Sequence, residues 1–312
     1  MRAPSSEHRL VLVTRQTRLD ELVQRFNTED QARFYIEHLG ADFSDYQAEH
    51  RTYRQQVRMV QTLLGALGRL HQVDRAFLPN YLFGRRDTVV VLGQDGLVAN
   101  TLKYLDGQPV IGVNPDPARW EGVLLPFRAA DLPRVLPEVL RGTRPWRGVT
   151  MAKATLNDGQ HLYAVNDLFI GPRSHTSARY RIQINDRSEQ HSSSGIIVST
   201  GLGSTGWLRS ILAGSAGITA AVTGRPVALA PPAMPWDAEY LCFSVREPWP
   251  SNTSAASITY GRVTAQTPLQ LLSEMPEHGV IFSDGIESDY VAFNAGTQAL
   301  IGPAERQGRL VV

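Results

Sequence analysis

The chain has 312 residues, and its 31 Lys and Arg nearly balance its 30 Asp and Glu, which leaves a net charge of +1. A chain of this length is expected to form two domains, each with a sizeable core. Nucleic acids and anionic membranes select clustered Lys and Arg, so we expect neither as a partner. The single cysteine, Cys242, excludes an internal disulfide and a Cys-based metal site, and we expect it in the core.

No stretch approaches the roughly twenty apolar residues of a membrane helix. The segment Met1–Arg9 lacks the apolar centre of a signal peptide. We therefore expect a cytoplasmic protein.

Apolar periodicity predicts alternating strands and helices in the first half of the chain. In chain order we predict a strand at Leu10–Val13, a helix through Leu19, Leu22, Val23 and Phe26, a long helix capped by Ser44, a strand at Thr88–Leu92, a helix at Leu97–Leu105, a strand at Val110–Val113 and a helix over Ala129–Arg141 that Pro133 and Pro137 shorten or kink. This alternation predicts an α/β domain over residues 1–147, built on an open, mostly parallel sheet.

Short β-branched runs separated by turn residues dominate the rest of the chain. The predicted strands are Gln160–Leu168, Ala178–Asn185, Gly195–Ser199, Tyr240–Arg246, Ser257–Val263 and Tyr290–Asn294. One helix is predicted from about Thr205 to Leu212. We therefore predict a β-rich domain over residues 148–312, with the boundary near Trp146–Thr150 and the last segment as a candidate to return to the first domain.

The turn Gly93-Gln94-Asp95-Gly96 follows the strand Thr88–Leu92 directly. Open α/β sheets bind ligands at the carboxyl ends of their strands, where a carboxylate is placed to accept a proton from a hydroxyl. Asp95 is therefore the candidate catalytic residue. The alternative is that Asp95 only supports its own turn, as Asp often does beside glycine.

A second glycine-rich turn follows the strand Gly195–Ser199. Its backbone N–H groups around Gly201 and Gly203, with the hydroxyls of Ser204 and Thr205, are typical of a site for phosphate or ribose hydroxyls. The alternative is a strand-to-helix connection that needs flexible residues and a Thr cap.

Asn166 and Asp167 fall within an apolar run, Leu162–Ile170, where an amide beside a carboxylate needs a polar partner. Ligand hydroxyls are one such partner, and water at a strand edge or bulge is the other. Asp284-Gly285, taken alone, is typical of a hairpin turn. The spacing fits no nucleophile elbow, dinucleotide fingerprint or P-loop, and no histidine has a partner at metal-ligand spacing, so we assign no metal held by the protein.

Taken in order, these segments resemble the NAD kinase family, which joins an α/β domain carrying a Gly-Gly-Asp-Gly turn to a β-rich domain. The resemblance covers most of the chain and depends on Gly93–Gly96, Ile111–Asn114, Asn166-Asp167, Ser199–Gly206 and Ser283–Gly285. Three variants are closest to the mitochondrial-type branch of that family: Asn114–Pro117, Ser193–Gly195 and Gly206-Trp207.

The resemblance implies transfer of a phosphoryl group from ATP, or from polyphosphate in some members, to the adenosine ribose 2′-hydroxyl of NAD. Asp95 takes the proton, Asn166 and Asp167 hold the ribose hydroxyls, and Mg²⁺ enters on the donor phosphates. It also implies a homodimer. The full set of nucleotide-binding candidates is Gly93, Gln94, Gly96, Asn114, Asn166, Asp167, Ser199, Thr200, Gly201, Gly203, Ser204 and Thr205.

Two residues depart from the family pattern at the first turn. Gln94 replaces a glycine and Leu97 replaces a threonine. If position 94 requires a left-handed backbone, Gln94 costs roughly 1–2 kcal/mol and obstructs the donor phosphates. The alternatives to an active kinase are a protein that binds NAD(P)(H) without transfer and a kinase of a lipid or another small alcohol.

Overall fold

A computed structural model describes residues 8–229 and 234–312 of the chain. They form two compact units, one made of the residues up to Arg147 with Arg309–Val312, the other of Gly148–Gly308. Within the described ranges, no helix is long and apolar enough to cross a membrane.

The first unit alternates helices and strands. Its elements are β1 (Arg9–Thr14), α1 (Arg18–Phe26), α2 (Glu29–His38), α3 (Phe43–Leu67), β2 (Arg69–Asp74), β3 (Thr88–Leu92), α4 (Asp95–Leu102), β4 (Pro109–Val113) and α5 (Leu132–Leu140). The strands lie parallel in the order β2-β1-β3-β4, and Arg309 and Leu310 at the end of the chain pair with β4. The predicted open, mostly parallel sheet is confirmed.

Burial of β3 explains why its sequence is uniformly apolar. All five residues of Thr88–Leu92 are buried, because a parallel sheet is covered on both faces. The apolar face of α3, with Val57, Val60 and Leu64, covers one face together with α5. The strands of this unit therefore end at a fixed edge, where loops carry the polar residues.

Two helix starts differ from the sequence prediction. α3 begins at Phe43 because the Asp42 carboxylate accepts the N–H of Ser44 at 2.8 Å, so Asp42 and not Ser44 is the cap. α4 begins at Asp95, two residues before the predicted start, with Gln94 as its cap residue.

The second unit is a two-layer β structure with one helix. Its elements are β5 (Trp146–Leu156, which starts in the first unit), β6 (His161–Ala164), β7 (Asp167–Pro172), β8 (Ala178–Ile184), β9 (Arg187–Ser193), β10 (Ile196–Ser199), α6 (Trp207–Thr223), β11 (Tyr240–Val245), β12 (Tyr260–Thr264), β13 (Leu269–Ser273), β14 (Gly279–Ser283), β15 (Ile286–Ala292) and β16 (Gln298–Val311). The β-rich second domain is confirmed.

One layer of this unit is the antiparallel sheet β12-β11-β10-β7-β14-β15. The other contains β16-β13-β8-β9, with β5 and β6 beside it. The core between them includes Ile170 and Val198 from the first layer and Tyr180 and Leu271 from the second. Cys242 is buried as predicted.

Two boundary predictions that matter for the site were wrong. The predicted strand Gln160–Leu168 is two strands, because the chain breaks at Val165 and Asn166. α6 begins at Trp207 and continues to Thr223, beyond the predicted end. The two compact units divide between Arg147 and Gly148, within the predicted boundary segment, and β5 runs through this point.

Tyr53 joins α3 to the end of the parallel sheet in the first unit. Its hydroxyl donates to the Leu92 carbonyl and accepts from the Arg15 N–H, both at 2.9 Å, and the residue is only 2 % exposed. We expect Tyr53→Phe to lower the free energy of unfolding by about 1–3 kcal/mol, because two backbone groups lose their partner. Urea unfolding measures this, with Tyr46→Phe, a half-buried tyrosine of the same helix, as the control. Equal losses in both variants would contradict the role of the Tyr53 hydroxyl.

Candidate functional site

The Gly93–Gly96 turn lies at the carboxyl end of β3. Gly93 is buried, and a Cβ there would lie 2.7 Å from Cδ2 of Leu97. The Leu97 side chain therefore lies over Gly93, at the place where the family has a threonine. Gly96 is exposed, and a Cβ there would contact nothing within 4 Å.

The backbone at Gln94 is unstrained. Its φ of −117° and ψ of 164° are ordinary extended values, and its carbonyl accepts the N–H of Leu97 at 2.9 Å. The condition under which Gln94 would cost stability, a left-handed backbone, does not occur in this structure. Gln94 instead precedes α4 in a backbone conformation that any residue can adopt.

Asp95 contacts the loop that follows β4. Its Oδ1 accepts the N–H of Leu124 at 2.7 Å, and the side chain is half-buried. This loop lies directly on β4, since a Cβ at Gly112 would be only 2.0 Å from the Leu124 carbonyl oxygen. Asp95 therefore has a structural partner through one oxygen, a contact that sequence reasoning could not predict because it involves a backbone amide.

Asn114 organises the same loop. Its Nδ2 donates to the Trp120 carbonyl at 2.9 Å, and its Oδ1 accepts the N–H of Asp116 at 3.0 Å. Both ends of the amide are thus engaged within the loop. Asn114 holds the shape of the segment that contacts Asp95.

In the second unit, three segments meet where β6 and β7 are interrupted. They are Val165–Asp167, the turn Thr200–Ser204, and the hairpin turn Asp284-Gly285. Asp284 has φ 56° and Gly285 has φ 71°, which is the left-handed pair that a two-residue hairpin turn requires. Asp284-Gly285 is therefore the hairpin turn that its sequence indicates.

The Asp284 carboxylate explains the break between β6 and β7. It accepts the N–H of Asn166 at 2.6 Å and that of Val165 at 3.0 Å, while its own N–H donates to the Asp167 carbonyl at 3.0 Å. A side chain thus takes amides that a continuous strand would give to a neighbouring strand. Sequence reasoning took Asp284 only as a turn residue and missed this role.

Thr200 ties the glycine-rich turn to the same break. Its Oγ1 donates to the Val165 carbonyl at 2.6 Å and accepts the N–H of Gly203 at 3.1 Å, and its own N–H donates to the Asn166 carbonyl at 2.9 Å. A Cβ at Gly203 would lie 2.1 Å from that Asn166 oxygen. Glycine is required at position 203 because two backbones touch there.

The remaining candidates of the turn differ in exposure. Ser199 is fully buried and its hydroxyl donates to the Thr200 carbonyl, while Ser204 donates to the Gly201 carbonyl at 2.8 Å. Thr205 is exposed. A Cβ at Gly201 would lie 1.9 Å from the Pro235 carbonyl oxygen. The turn therefore presents an exposed hydroxyl at Thr205 and is otherwise held by internal contacts.

The surroundings of Asp167 change the pKa of its carboxyl group. It is the first residue of β7, it is 8 % exposed, and its partner across the sheet is Ser199. Burial and the neighbouring Asp284 carboxylate raise the pKa of Asp167 to about 7. Asn166 beside it is half-buried. A buried carboxylate that titrates near neutral pH is a feature of functional sites more than of structural ones.

No metal cluster accompanies these residues. Within residues 8–229 and 234–312, no group of three or more His, Cys, Asp or Glu lies together in a way that could hold a metal ion. The polar groups of both units instead offer hydroxyls, carboxylates and backbone amides, which are the groups that recognise nucleotides.

Comparison with known proteins gives consistent relatives. The chain is 26 % identical over 250 residues to "NAD kinase 2, mitochondrial" from Rattus norvegicus, covering 64 % of this chain and 59 % of that protein. "NAD kinase 2, mitochondrial" from Homo sapiens is also 26 % identical to this chain over 250 residues, and the match covers 64 % of this chain and 57 % of the human protein. The match thus spans less than two thirds of these relatives. No family model matches the chain.

Solved structures share the whole fold. An NAD kinase from Archaeoglobus fulgidus in complex with ATP superposes with a TM-score of 0.56 and 14 % identity, covering 98 % of this chain and 93 % of the other. Yeast NADH kinase complexed with NADH superposes with a TM-score of 0.55 and 14 % identity, covering 100 % and 88 %. The chain is therefore similar in sequence to an NAD kinase and has the NAD kinase fold, which confirms the resemblance stated from its motifs and the predicted fold class.

Proposed function

We propose that this protein is an NAD kinase that transfers the γ-phosphoryl group of MgATP to the adenosine ribose 2′-hydroxyl of NAD. The observation that carries the proposal is Asp167, a buried carboxyl group at the start of β7, held beside the glycine-rich turn and opposite Ser199. Its sequence relatives are NAD kinases, and the structures that share its fold are complexes with ATP and with NADH, which supports the same chemistry.

The acceptor half of the reaction uses Asn166 and Asp167. An ionised Asp167 accepts hydrogen bonds from two ribose hydroxyls. These hydrogen bonds replace the ones to water that the carboxylate loses when it is buried. The half-buried Asn166 adds a hydrogen-bond donor and a hydrogen-bond acceptor at the same break between β6 and β7. The exposed Thr205 hydroxyl, Thr200, Ser199 and Ser204 shape the turn around the nucleotide.

The transfer step uses Asp95. The 2′-oxygen forms a bond to the γ-phosphorus, the bond from that phosphorus to the β-bridging oxygen breaks, and the hydroxyl proton passes to the carboxylate. Because Oδ1 of Asp95 is engaged by the Leu124 N–H, Oδ2 is the acceptor in this proposal. Backbone amides near Gly93, Gln94 and Gly96 receive the donor phosphates, and Mg²⁺ arrives with them.

The alternative is a protein that binds NAD(P)(H) without transferring phosphate. Two sequence features, Gln94 and Leu97, suggested this alternative. Strain at Gln94 is absent, since the backbone there is extended. The feature at Leu97 remains, because its side chain lies over Gly93. Formation of NADP from NAD and MgATP by the purified protein, measured with an NADP-specific dehydrogenase, decides between the two. A cytoplasmic location stays a separate proposal, tested by cell fractionation.

We expect Asp95→Asn to lower turnover by roughly 10²–10⁴ because the amide cannot take the proton. The amide oxygen still accepts the Leu124 N–H, so the fold and the affinity for NAD should change little. Asp106→Asn, beyond the end of α4, is the matched control and should retain full turnover. Full turnover of Asp95→Asn in the coupled assay would remove Asp95 from the transfer step.

We expect the affinity for NAD to rise with pH through the pKa of Asp167, which is about 7. The ionised carboxylate accepts hydroxyl donors, and only its ionised fraction binds, so the affinity should tighten about tenfold from pH 6 to pH 8. Asp167→Asn should bind NAD weakly and without this pH dependence, as measured by calorimetry. Asp158→Asn, at an exposed turn, is the control. If the affinity of Asp167→Asn for NAD still rises with pH, the titrating group is a residue other than Asp167.

The raised pKa of Asp167 also determines the direction in which the free energy of unfolding changes with pH. Between about pH 4 and pH 7 the folded protein holds a proton on Asp167 that the unfolded chain releases, because burial raises the pKa from 3.8 to about 7. The contribution of Asp167 to the free energy of unfolding therefore falls as the pH rises through this window. Asp167→Asn removes this contribution, and its unfolding should show a smaller loss of stability above pH 4.

We also propose that the protein is a homodimer that buries α6. Only Leu208 of its 17 residues is buried, Ile218 is 69 % exposed and Val222 is 80 % exposed. A groove of about 870 Å³ beside the helix is lined by apolar residues, which include Ile211, Leu229 and Tyr260, and by polar residues, which include Arg246 and Glu247. Exposed apolar residues beside such a groove are typical of an interface between subunits.

We expect Ile218→Asp to shift the protein from dimer to monomer, because a carboxylate would be buried without a partner. Light scattering after gel filtration measures the mass. Thr219→Asp introduces the same charge at the next exposed position, away from the groove, and should leave the dimer intact. A native protein that is already monomeric at micromolar concentration would rule the interface out.

A further inference from the structure

The loop that contacts Asp95, residues 114–124, is also joined to the start of α3 by an ion pair. Arg119 of this loop donates two hydrogen bonds to Asp45, from Nη2 to Oδ1 at 2.6 Å and from Nη1 to Oδ2 at 3.1 Å. Asp45 lies in the first turn of α3, where the partial positive charge of a helix N-terminus also favours a carboxylate. The proposed reaction gives neither residue a role.

A second arginine holds Asp45 in place. Arg18 of α1 donates to Oδ2 of Asp45 at 2.8 Å, so one carboxylate joins two helices to the loop. Hydrogen bonds from Arg119 and Arg18 hold the pKa of Asp45 well below its usual range. The pair of Asp45 and Arg119 therefore remains charged on both sides throughout the neutral range of pH.

The loop presents Arg119 from a short turn. The N–H groups of Arg119 and Trp120 both donate to the Asp116 carbonyl at 3.0 Å, and the Asp116 carboxylate lies 3.6 Å from Nε of Arg119. A planar guanidinium that makes two parallel bonds to a carboxylate fixes the orientation of its partner as well as the distance. The pair with Asp45 therefore sets where this turn lies against α3.

The chain between Arg119 and Leu124 is closely packed as well. Gly122 has φ 70°, a left-handed backbone that favours glycine, and a Cβ there would lie 2.5 Å from Nδ2 of Asn114. Two residues later, the Leu124 N–H donates to Oδ1 of Asp95 at 2.7 Å. A displacement of Arg119 is therefore passed along the loop to the hydrogen bond on Asp95.

We propose that Arg119 is a positioning residue for phosphoryl transfer. Its pair with Asp45 fixes the loop so that the Leu124 N–H stays on Oδ1 of Asp95, and Oδ2 is thereby aimed at the hydroxyl proton. Because Asp95 takes that proton in the proposed function, this role deepens the proposed function and rests on it. Transfer depends on exact placement, and a misplacement of about 1 Å can lower its rate by about a hundredfold.

The exposure of the pair separates positioning from stability. The exposed fraction of the side chain is 25 % for Arg119 and 43 % for Asp45. Water and salt screen ion pairs of this exposure, so they contribute little to the free energy of unfolding. We therefore expect Arg119→Gln to unfold in urea at nearly the native midpoint, and any change in its turnover then comes from the position of the loop.

The first test is amide hydrogen exchange of the full chain, measured at Leu124. We expect the Leu124 N–H to exchange at least about tenfold faster in Arg119→Gln than in the native protein, because the loop opens more often. Arg119→Lys should lie between the two, since an ammonium keeps the charge but loses the two parallel bonds. Native exchange at Leu124 in Arg119→Gln would overturn the proposal.

The matched control for this test is Arg54→Gln. Arg54 also lies on α3, is 48 % exposed and donates to Asp20 at 2.6 Å, outside the loop. Its loss should leave exchange at Leu124 unchanged. Because this readout needs no formation of NADP, it can succeed or fail apart from the proposed function.

The second test is a double-mutant cycle of Arg119→Gln and Asp95→Asn in the coupled assay. We expect Arg119→Gln to lower kcat roughly ten- to a hundredfold, with changes of less than about twofold in KM for NAD and for MgATP. In the Asp95→Asn protein the same substitution should change the residual turnover by less than about twofold, because a residue that acts through Asp95 has no carboxylate left to position. Equal losses in both backgrounds, or native kcat in Arg119→Gln, would overturn the proposal.

Discussion

The proposed acceptor site depends on one interaction, the hydrogen bonding of the Asp284 carboxylate to the N–H groups of Val165 and Asn166. Amides inside a sheet are normally taken by a neighbouring strand, and an unpaired buried amide is costly. A carboxylate that takes two of them lets β6 end and β7 begin without that cost. Asp167 then stands at the start of β7, opposite Ser199 of the neighbouring strand β10.

The carboxyl groups of Asp284 and Asp167 differ in how easily they hold a charge, because their surroundings differ. Asp284 is surrounded by amides that stabilise its charge. Asp167 is buried near that charge, and its pKa is raised to about 7. A carboxylate left in this state is stabilised most by a partner that brings hydroxyl donors, which is the chemistry of a ribose. The fold thus leaves a cost at Asp167 that substrate binding can remove.

The charged residues of the first unit show the contrast. Glu49 is 4 % exposed, yet it pairs with both Arg15 and Arg18. Although burial opposes it, hydrogen bonds from these arginines lower the pKa of Glu49. Such a matched cluster stabilises the attachment of α1 and α3 to β1. A buried charge with partners is structural here, and one without comparable partners is the candidate for function.

The sequence by itself determined the alternation of strands and helices, the span of β3 and the ordered motifs that resemble the NAD kinases, because these depend on local periodicity and on residue types at fixed spacing. It did not determine the break before Asp167 or the contact of Asp95 with Leu124. Each of these follows from atoms far apart in the chain: residue 284 beside 166, and 124 beside 95. Only the tertiary structure could decide them, because hydrogen bonds and burial between distant segments, rather than local preference, set where a strand ends and how a carboxylate titrates.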